Sequence, residues 1–535
     1  MPLIEPDEAR YSDISSLMNR TGDYITPHLN HVVYLEKPPL CYWATAVLFK
    51  IFGENEFSSR LFAALCAWGC IFLVYRMGTF FHDEKTGLYS AGVLSTFLCF
   101  SVLGKINILD IPLTFFVSVA TWAGYRYFAE NSERKRWLYL LYVSSALGFL
   151  TKGVIGIVFP FAITVLWLFI SRRWRDVPRL FSPVGIILFL LISCPWVILV
   201  QKANQDFLWF FFIQEHFLRY ATKLHHRSHT ILLYVPVILL GTLPWSAFLW
   251  KALKESTDKR SVFFEATEKR FLLIWIFFIF IFFSFSSSKL IPYIAPVFLP
   301  IAIMFGHLFR LYEDRNMNLE EGRGRRFLYD LPIILQSVIF IGIVISPIFL
   351  NLGQYLENSD IGNWPWMILP ILFQGMIIFL TVLIKRKWRY GWFPTIAILY
   401  TLFLISAHIP VGQFLTFYKS AYPVSKAVQA WLPQGQELFQ FKTTLYGIDF
   451  YNKIRTPLVD TCGELLLGYT QLTPAEKARY FYLSPEAFYQ HCKQSGGTFY
   501  CVTRYKKNVE ELKRRISSLE ILWNKGEFYL LRLQD

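Results

Sequence analysis

The first residues that could carry chemistry lie at the start of the chain, where residues 6–11 read Pro-Asp-Glu-Ala-Arg-Tyr. If this stretch is helical, positions three and four apart share a face, so Asp7 lies beside Arg10 and Tyr11. Such a group combines a candidate general base with a cation. A proline followed by the two acids Asp7 and Glu8 is also typical of an ordinary helix start, and these six residues alone favour that structural interpretation.

Lys37 is the second candidate, within the sequence Glu36-Lys37-Pro38-Pro39. The residue before a proline is pushed towards extended geometry, so Lys37 is kept out of a helix and the prolines stiffen the turn that carries it. A lysine fixed on a rigid turn near a membrane surface suits a phosphate anion. A Lys-Pro-Pro loop can equally be an anchor at the membrane interface.

Three more charged residues, Asp110, Lys152 and Lys289, lie at the ends of apolar segments. A charge at the bilayer centre costs about 2.5 to 3.5 kcal/mol, and less towards the ends, so such groups usually serve a polar cavity. The two lysines could instead extend their long side chains to the interface. Asp110 is too short to do so, which favours a functional position for it.

Histidines form a cluster that could bind a metal. His216 follows Glu215, and three more histidines lie between residues 225 and 229. Together with Glu36 they could bind a divalent cation. However, the spacing lacks the HExxH arrangement of zinc proteases, and exposed loop histidines are common. We therefore expect no required cofactor, and a metal at Glu36 and His216 is the less favoured alternative.

The composition indicates what kind of fold must position these residues. Of 535 residues, 54% are hydrophobic, 18% aromatic and 17% charged, whereas soluble domains carry roughly 25% charged residues. The mean hydropathy of +0.38 also predicts a membrane protein. The net charge of +15 comes mostly from short Lys and Arg clusters between apolar stretches, which argues against a nucleic-acid partner. The eight cysteines contain no CxxC pair, and we assign no disulfide.

Apolar segments recur along most of the chain, and a membrane helix needs about 20 mostly apolar residues. We therefore predict a polytopic α-helical membrane domain over residues 60–410 with about twelve helices. The twelve segments are 60–80, 86–104, 108–129, 137–151, 153–171, 181–201, 229–250, 270–286, 289–310, 328–350, 365–384 and 391–410.

Basic residues predict the orientation of these helices. Clusters of Lys and Arg fall in alternate loops, which are typically cytoplasmic. Twelve crossings then place residues 1–59, the outer loop and juxtamembrane region with the acidic and Glu-Lys-Pro-Pro motifs, on the same outer side as residues 411–535. The clusters lie at 134–136, 172–179, 251–270, 310–326 and 385–387.

Residues 411–535 differ from the rest of the chain. Short β-rich runs at 437–441, 499–503 and 528–531, with a charged helical stretch at 509–516, predict a small α/β domain on the periplasmic side. A mobile tail is the alternative, but the aromatic content favours a packed core.

Taken together and in this order, the motifs resemble the bacterial polyprenyl-phosphate glycosyltransferases of the GT-C type, in the protein O-mannosyltransferase superfamily. The similarity is closest to the lipid A 4-amino-4-deoxy-L-arabinose transferases. Each motif is weak by itself, but eight in the same order are specific, and they cover nearly the whole membrane part. They are 5–11, 34–40, 52–61, 109–110, 150–153, 215–216, 241–245 and 287–296.

The resemblance implies a sugar donor on undecaprenyl phosphate, inversion at the anomeric carbon and no nucleotide sugar. It implies that Asp7 is the acid at the reaction centre, with Glu8 as its neighbour and Asp110 as a second acid near the sugar. The groups that would hold the donor phosphate are Arg10, Lys37 and Lys152. The other pocket residues would be Tyr11, Lys289 and Tyr293. Cations there would stabilise the charge of the leaving phosphate, and Asp7 could take a proton from a hydroxyl acceptor, whereas a phosphate acceptor needs no base.

The expected acceptor is lipid A, with another glycan or a protein as alternatives. We expect a monomer in the bacterial inner membrane, surrounded by lipid, with its active site and C-terminal domain facing the periplasm. The sequence departs from the family because no membrane helix precedes the acidic motif. We therefore expect a misplaced start codon, with a truncated form as the alternative.

Two other classes of protein compete with this interpretation. A transporter or flippase of a lipid-linked sugar would also use many helices and buried charges. Against it, the charged residues lie towards one membrane face, whereas transporters tend to bind at the midplane. An inactive scaffold is the third class, and the intact set of Asp7, Lys37 and Lys152 argues against it.

Overall fold

Helix α1 (Asp7–Thr21) begins where the sequence predicts a helix start. Pro6 precedes it, and Asp7 and Glu8 lie in its first turn, where their charges complement the helix dipole. It ends at Gly22, whose φ of 77° is the left-handed conformation that terminates many helices. Most of this polar helix is buried, so its side chains need partners inside the protein.

The computed structural model describes residues 1–129, 135–218, 230–257, 266–314, 370–379 and 392–534, together with positions 334, 337, 338 and 341. A two-stranded sheet, β1 (His28–Leu29) and β2 (Val32–Val33), follows α1. The other helices of the membrane part are α2 (Leu40–Phe52), α3 (Glu56–Phe81), α4 (Glu84–Thr96), α5 (Leu98–Leu103), α6 (Asp110–Ala129), α7 (Lys135–Lys152), α8 (Ile155–Ile170), α9 (Pro183–Ala203), α10 (Tyr234–Gly241), α11 (Leu249–Thr257), α12 (Ala266–Phe285), α13 (Phe298–Asp314), α14 (Pro370–Phe379) and α15 (Trp392–Lys419).

Helices occupy the predicted apolar segments wherever the structure describes them, but three segments are interrupted. Segment 86–104 divides at Phe97 into α4 and α5. Segment 289–310 begins as a 3-10 helix, Ile291–Val297, before α13. Segment 229–250 contains two helical pieces bent by 116°, because the proline at 244 lacks the N–H that would continue the helix.

Four described helices are long and apolar enough to cross a membrane, and the bent pair gives a fifth. Most of segment 328–350 and part of segment 365–384 lie outside the described residues, so the number of twelve crossings stays a prediction. The four helices are Glu56–Phe81, Pro183–Ala203, Ile291–Leu311 and Phe393–Lys419.

The C-terminal region forms a six-stranded mixed sheet in the order β5-β4-β3-β6-β8-β7. β3 pairs in parallel with β4 and β6, whereas β8 pairs antiparallel with β6 and β7. The predicted strands correspond to β3, β6 and β8, and the α/β fold is confirmed. The elements are α16 (Tyr422–Trp431), β3 (Leu438–Phe441), α17 (Tyr446–Asn452), β4 (Leu458–Val459), α18 (Leu466–Gln471), α19 (Pro474–Tyr480), β5 (Phe481–Tyr482), α20 (Pro485–Ser495), β6 (Thr498–Arg504), α21 (Lys506–Arg515), β7 (Ser518–Lys525) and β8 (Phe528–Gln534).

The C-terminal domain packs directly against α1. Tyr446 and Phe450 of α17 share an apolar cluster with Ile14 of α1. The side-chain oxygens of Glu5 accept hydrogen bonds from the backbone N–H groups of Tyr446 and Gly447, at 3.2 and 2.6 Å. These N–H groups lie in the first turn of α17, where they have no acceptor within the helix. The acidic motif is therefore held between the membrane helices and the C-terminal domain.

Helices α7 and α8 approach each other closely at the turn that follows Lys152. Gly153 in this turn has a φ of 84°, which glycine adopts without steric cost. A Cβ atom on Gly156 would lie 2.2 Å from the carbonyl carbon of Gly148. Only a glycine therefore permits this crossing, which fixes the end of α7 where Lys152 lies.

Replacing Gly156 by alanine should push α7 and α8 apart, because the added methyl group overlaps backbone atoms. Over-packing of this kind costs about 1 to 3 kcal/mol, so the thermal unfolding midpoint of the purified protein in detergent should fall. Gly497→Ala is the control, since the nearest atom to its new Cβ would be 3.9 Å away. A Gly156→Ala midpoint equal to that of the control would contradict the close crossing.

Candidate active site

Lys152 and Asp110 form an ion pair at the ends of two membrane helices. Asp110 begins α6 and Lys152 ends α7. Lys152 Nζ donates to Asp110 Oδ1 at 2.6 Å, and each side chain is only 12% exposed. The same ammonium lies 4.4 Å from the ring centroid of Tyr293. The pairing explains how two charges are tolerated beside apolar helices.

Lys37 is held by its neighbours in the same way. Its Nζ donates to the backbone oxygen of Glu36 at 2.9 Å and to Glu215 Oε2 at 3.3 Å. The carboxylate of Glu36 lies 3.9 Å away. Lys37 is 13% exposed and Glu215 only 3%. The rigid turn therefore presents an ammonium group that is fixed by a second, distant segment of the chain.

A cavity of about 380 Å³ joins these two ion pairs. Its polar lining includes Lys37, Asp110, Lys152, Glu215 and Tyr293, with Ser286 and Ser288 from the loop before the 3-10 helix. The rest of its wall is apolar and includes Leu113, Val154, Ile155, Val158, Phe159, Phe212, Phe282, Phe283, Pro292 and Pro296. A ligand with one anionic group and a long apolar part fits such a surface.

Arg10 lies in a separate, buried cluster. Its guanidinium forms ion pairs with Asp7 and with Glu464 of the C-terminal domain. The rings of Tyr11, Tyr34 and Tyr446 surround it, with centroids 5.2, 5.7 and 5.9 Å from Arg10 Cζ. The Arg10 side chain is 4% exposed, whereas that of Asp7 is 47% exposed. Asp7 is therefore accessible, and Arg10 is enclosed behind it.

Asp7 and Arg10 are not among the lining residues of the cavity. They are connected to it through Tyr34, whose hydroxyl donates to Glu36 Oε2 at 3.2 Å. The ring of the same Tyr34 lies against Arg10. Of the groups predicted to hold the donor phosphate, the structure thus brings Lys37 and Lys152 to one cavity, whereas Arg10 lies in a separate cluster outside its lining.

Glu8 is bound on all sides by protein groups. Arg60 donates to both of its carboxylate oxygens at 2.8 Å. The backbone N–H groups of Ile4 and Asn107 donate to it at 3.0 and 2.9 Å. With its side chain 1% exposed, Glu8 anchors the start of α1 to α3, and this placement does not favour the catalytic role predicted beside Asp7.

The three remaining pocket candidates have different surroundings. Tyr293 lines the cavity. Lys289 is buried, and its Nζ donates to the backbone oxygen of Ser286 at 2.6 Å, so it shapes the loop that lines the cavity. Tyr11 is buried against Tyr42, with ring centroids 5.7 Å apart, in the Arg10 cluster.

The predicted metal position stays a hypothesis. Among the described residues, no group of three or more His, Cys, Asp or Glu side chains could hold a metal. The side chain of His216 and residues 219–229 lie outside the described part of the chain. The carboxylates of Glu36 and Glu215 both face the ammonium of Lys37, and a cation there would compete with that ammonium.

The carboxylate partners of two cations in this site were not predicted. Glu215 belongs to the Glu215-His216 motif, which was considered for a metal and not as the partner of Lys37. Glu464 lies in a polar stretch of the C-terminal domain, more than 450 residues after Arg10. Nothing in the local sequence indicates that pairing, because it depends on how the domain docks on α1.

The structure thus has apolar helices with charged ends around a cavity, followed by an α/β domain, which is the arrangement expected from the GT-C resemblance. ArnT from Cupriavidus metallidurans bound to undecaprenyl phosphate has this fold and superposes with a TM-score of 0.81, covering 99% of this chain and 94% of that chain at 23% identity. The apo form of the same protein gives a TM-score of 0.79 at 22% identity. The predicted GT-C fold class is therefore confirmed.

Sequence comparisons agree with this fold. Residues 36–198 match the family model described as dolichyl-phosphate-mannose-protein mannosyltransferase. The chain is 32% identical over 321 residues to undecaprenyl phosphate-alpha-4-amino-4-deoxy-L-arabinose arabinosyl transferase 1 of Proteus mirabilis. The aligned region covers 58% of this chain and 56% of that protein. It is 31% identical over 346 residues to the arabinosyl transferase 2 of the same name from Pseudomonas fluorescens. That alignment covers 63% of this chain and 61% of the relative. The chain thus spans little more than half the length of these relatives, and the resemblance inferred from the motifs is confirmed.

The buried carboxyl of Glu5 makes the docking of the C-terminal domain depend on pH. Burial raises the pKa of Glu5 from 4.5 to about 8, although its two backbone hydrogen bonds and Arg10 act in the opposite direction. Between these values the folded protein holds a proton that the unfolded chain has lost. The contribution of Glu5 to the free energy of unfolding is therefore fully present below about pH 4.5 and is lost as the pH rises towards 8.

Glu5→Gln should reduce this loss of stability, because glutamine does not ionise. We expect the unfolding midpoint of the variant to fall less than that of the wild type between about pH 5 and pH 8. Some slope should remain, since burial also raises the pKa values of Asp13, to about 7, and of Asp449. Glu486→Gln, at an exposed position, should retain the wild-type slope. Equal slopes for Glu5→Gln and wild type would contradict the raised pKa.

Proposed function

We propose that this protein is an inverting glycosyltransferase that moves a sugar from undecaprenyl phosphate to a periplasmic acceptor. The sugar that we propose is 4-amino-4-deoxy-L-arabinose, and the acceptor is lipid A. The single observation that carries the proposal is the cavity with Lys37 and Lys152 at its polar lining and an apolar remainder. The similarity to relatives named as undecaprenyl phosphate-aminoarabinose transferases supports the choice of donor and sugar.

The two parts of the cavity match the two parts of such a donor. An isoprenoid chain is apolar, and the walls around Val158, Phe159 and Phe282 offer it apolar contacts. The donor phosphate is an anion, and ammonium groups are suitable partners for it. Lys37 and Lys152 each have a nearby carboxylate, so they are already oriented before the anion arrives.

The reaction needs one bond to break and one to form at the anomeric carbon. The bond from that carbon to the phosphate oxygen breaks, and its electron pair leaves with undecaprenyl phosphate. Lys37 stabilises the negative charge that develops on this leaving group. The acceptor oxygen attacks from the opposite face, which inverts the configuration.

The proton of a hydroxyl acceptor goes to the carboxylate of Asp7, which is accessible from outside the Arg10 cluster. If the acceptor is a phosphate group, no proton has to be removed, and Asp7 orients the sugar or its amine. Asp110, beside Lys152, is the second acid near the sugar. No metal-dependent step is required in this scheme, and a divalent metal at Glu36 and His216 remains the alternative for orienting the donor.

We place the protein in the bacterial inner membrane as a multi-pass monomer, with the cavity and the C-terminal domain facing the periplasm. The alternation of basic loops supports this orientation. The contact between α1 and the C-terminal domain requires that both lie on the same side of the membrane, and the predicted orientation meets this requirement.

The proposal is tested by incubating the purified full chain with undecaprenyl phosphate carrying labelled 4-amino-4-deoxy-L-arabinose, together with lipid A. Mass spectrometry of the lipid A should detect one added sugar, and free undecaprenyl phosphate should accumulate. If the donor stays intact, while the protein moves it across the bilayer of a vesicle, the protein is a flippase and the proposal fails.

Lys37→Ala should lower kcat by about 10² to 10³ with either type of acceptor, because one donor to the leaving phosphate is lost. Initial rates of sugar transfer measure this effect. Lys426→Ala is the matched control, since Lys426 bonds to Gln429 on an exposed helix face and has no part in the cavity. Full turnover by Lys37→Ala would remove Lys37 from the leaving-group role.

Asp7→Asn keeps the shape of the side chain but removes the base. With a hydroxyl acceptor, kcat should fall by roughly 10² to 10⁴. With a phosphate acceptor the loss should be smaller and nearly independent of pH. Wild-type rates of Asp7→Asn with a hydroxyl acceptor would exclude Asp7 as the base.

A further inference from the structure

We propose that Glu464 of the C-terminal domain is a positioning residue for the active site, acting through Arg10 on Asp7. The inference rests on the proposed function, because the role assigned to Asp7 is that of the reaction-centre acid. It adds a contribution from the C-terminal domain, which the cavity between the membrane helices does not include.

The contacts form a short chain from the C-terminal domain to the acidic motif. Glu464 forms an ion pair with Arg10, and Arg10 forms a second one with Asp7, three residues earlier on the same helix. Arg10 is 4% exposed and Glu464 25% exposed. Because a guanidinium is a planar fork with several donors, it can bind two carboxylates at once and fix the angle between them.

The surroundings keep Arg10 in one orientation. Tyr11 and Tyr34 come from the membrane part, whereas Tyr446 comes from the C-terminal domain, and all three rings lie within 6 Å of the guanidinium. Arginine attracts aromatic faces in this arrangement. The C-terminal domain thus supplies both a carboxylate and a ring to the cage around Arg10.

Glu464 is itself fixed by its neighbours. It lies in the one-turn 3-10 helix Gly463–Leu465, and the side chain of Leu465 is buried in the cluster that joins α1 to α17. A second contact holds the same domain, since Glu5 accepts hydrogen bonds from the backbone N–H groups of Tyr446 and Gly447 in α17. The position of Glu464 therefore follows from the docking of the C-terminal domain on α1.

Glu464 would affect the chemistry by fixing the position of the Asp7 carboxylate. With Glu464 in place, Arg10 is shared between two anions and stays in its cage. Without it, Asp7 is the remaining carboxylate that the described residues place in ion-pair contact with the buried guanidinium, and we expect Arg10 to pull Asp7 away from its accessible position. A misplacement of about 1 Å at a reacting group can cost about 10²-fold in rate.

The test compares Glu464→Gln, Glu464→Asp and Glu511→Gln in the full-length protein. Glu511 is the matched control, because it too forms an ion pair, with Lys442 at 2.7 Å, but both partners lie within the C-terminal domain. For Glu464→Gln we expect kcat to fall by about 10- to 100-fold with a hydroxyl acceptor, while KM for the labelled donor stays unchanged. Glu464→Asp should retain more of the rate than the glutamine variant, because it keeps the charge.

A merely structural role would lower stability and donor affinity as well, and Glu511→Gln would show the same loss. Wild-type kcat in Glu464→Gln, or equal losses in the control, would overturn the inference. If the wild type itself transfers no sugar, the proposed function fails, and the contact is then tested separately. A double-mutant cycle of Glu464→Gln and Arg10→Met on thermal unfolding should show a coupling between the two residues, and zero coupling would overturn the ion pair.

Discussion

An ionised side chain beside an apolar helix needs an opposite charge within a few ångströms, because little water is available to solvate it. The rest of this structure depends on that constraint. Four cations around the candidate site each have a carboxylate partner from another turn or another segment, and these pairs fix how the helix ends meet. The pairs are Lys152 with Asp110, Lys37 with Glu215, Arg10 with Asp7 and Glu464, and Arg60 with Glu8.

These pairs divide the site into two regions with different partners. Helix ends and the turn at Lys37 surround the apolar cavity, whereas α1 and the C-terminal domain enclose Arg10. Tyr34 contacts both regions, with its ring against Arg10 and its hydroxyl bonded to Glu36. The C-terminal domain therefore contacts the acidic motif on α1 through Arg10, whereas the lining of the cavity comes from the membrane part alone.

Some of this arrangement could be predicted from the sequence. Asp110 and Lys152 stand out because they interrupt the ends of apolar segments, and the two prolines after Lys37 indicate a rigid turn. The partners could not be predicted, since a carboxylate such as Glu464 is one of many in a polar stretch until the domain docks. The helix break at Phe97 and the bend of 116° near position 244 were also missed, because hydropathy records apolar length and not continuity of the backbone.

We propose that the cavity binds a polyprenyl chain at its apolar wall and a phosphate at Lys37 and Lys152. Equilibrium binding of undecaprenyl phosphate and of the uncharged alcohol undecaprenol to the purified protein tests it most directly. We expect clearly tighter binding of the phosphate, and loss of that preference in the double variant Lys37→Ala, Lys152→Ala. Equal affinities of the wild type for the phosphate and the alcohol would contradict it.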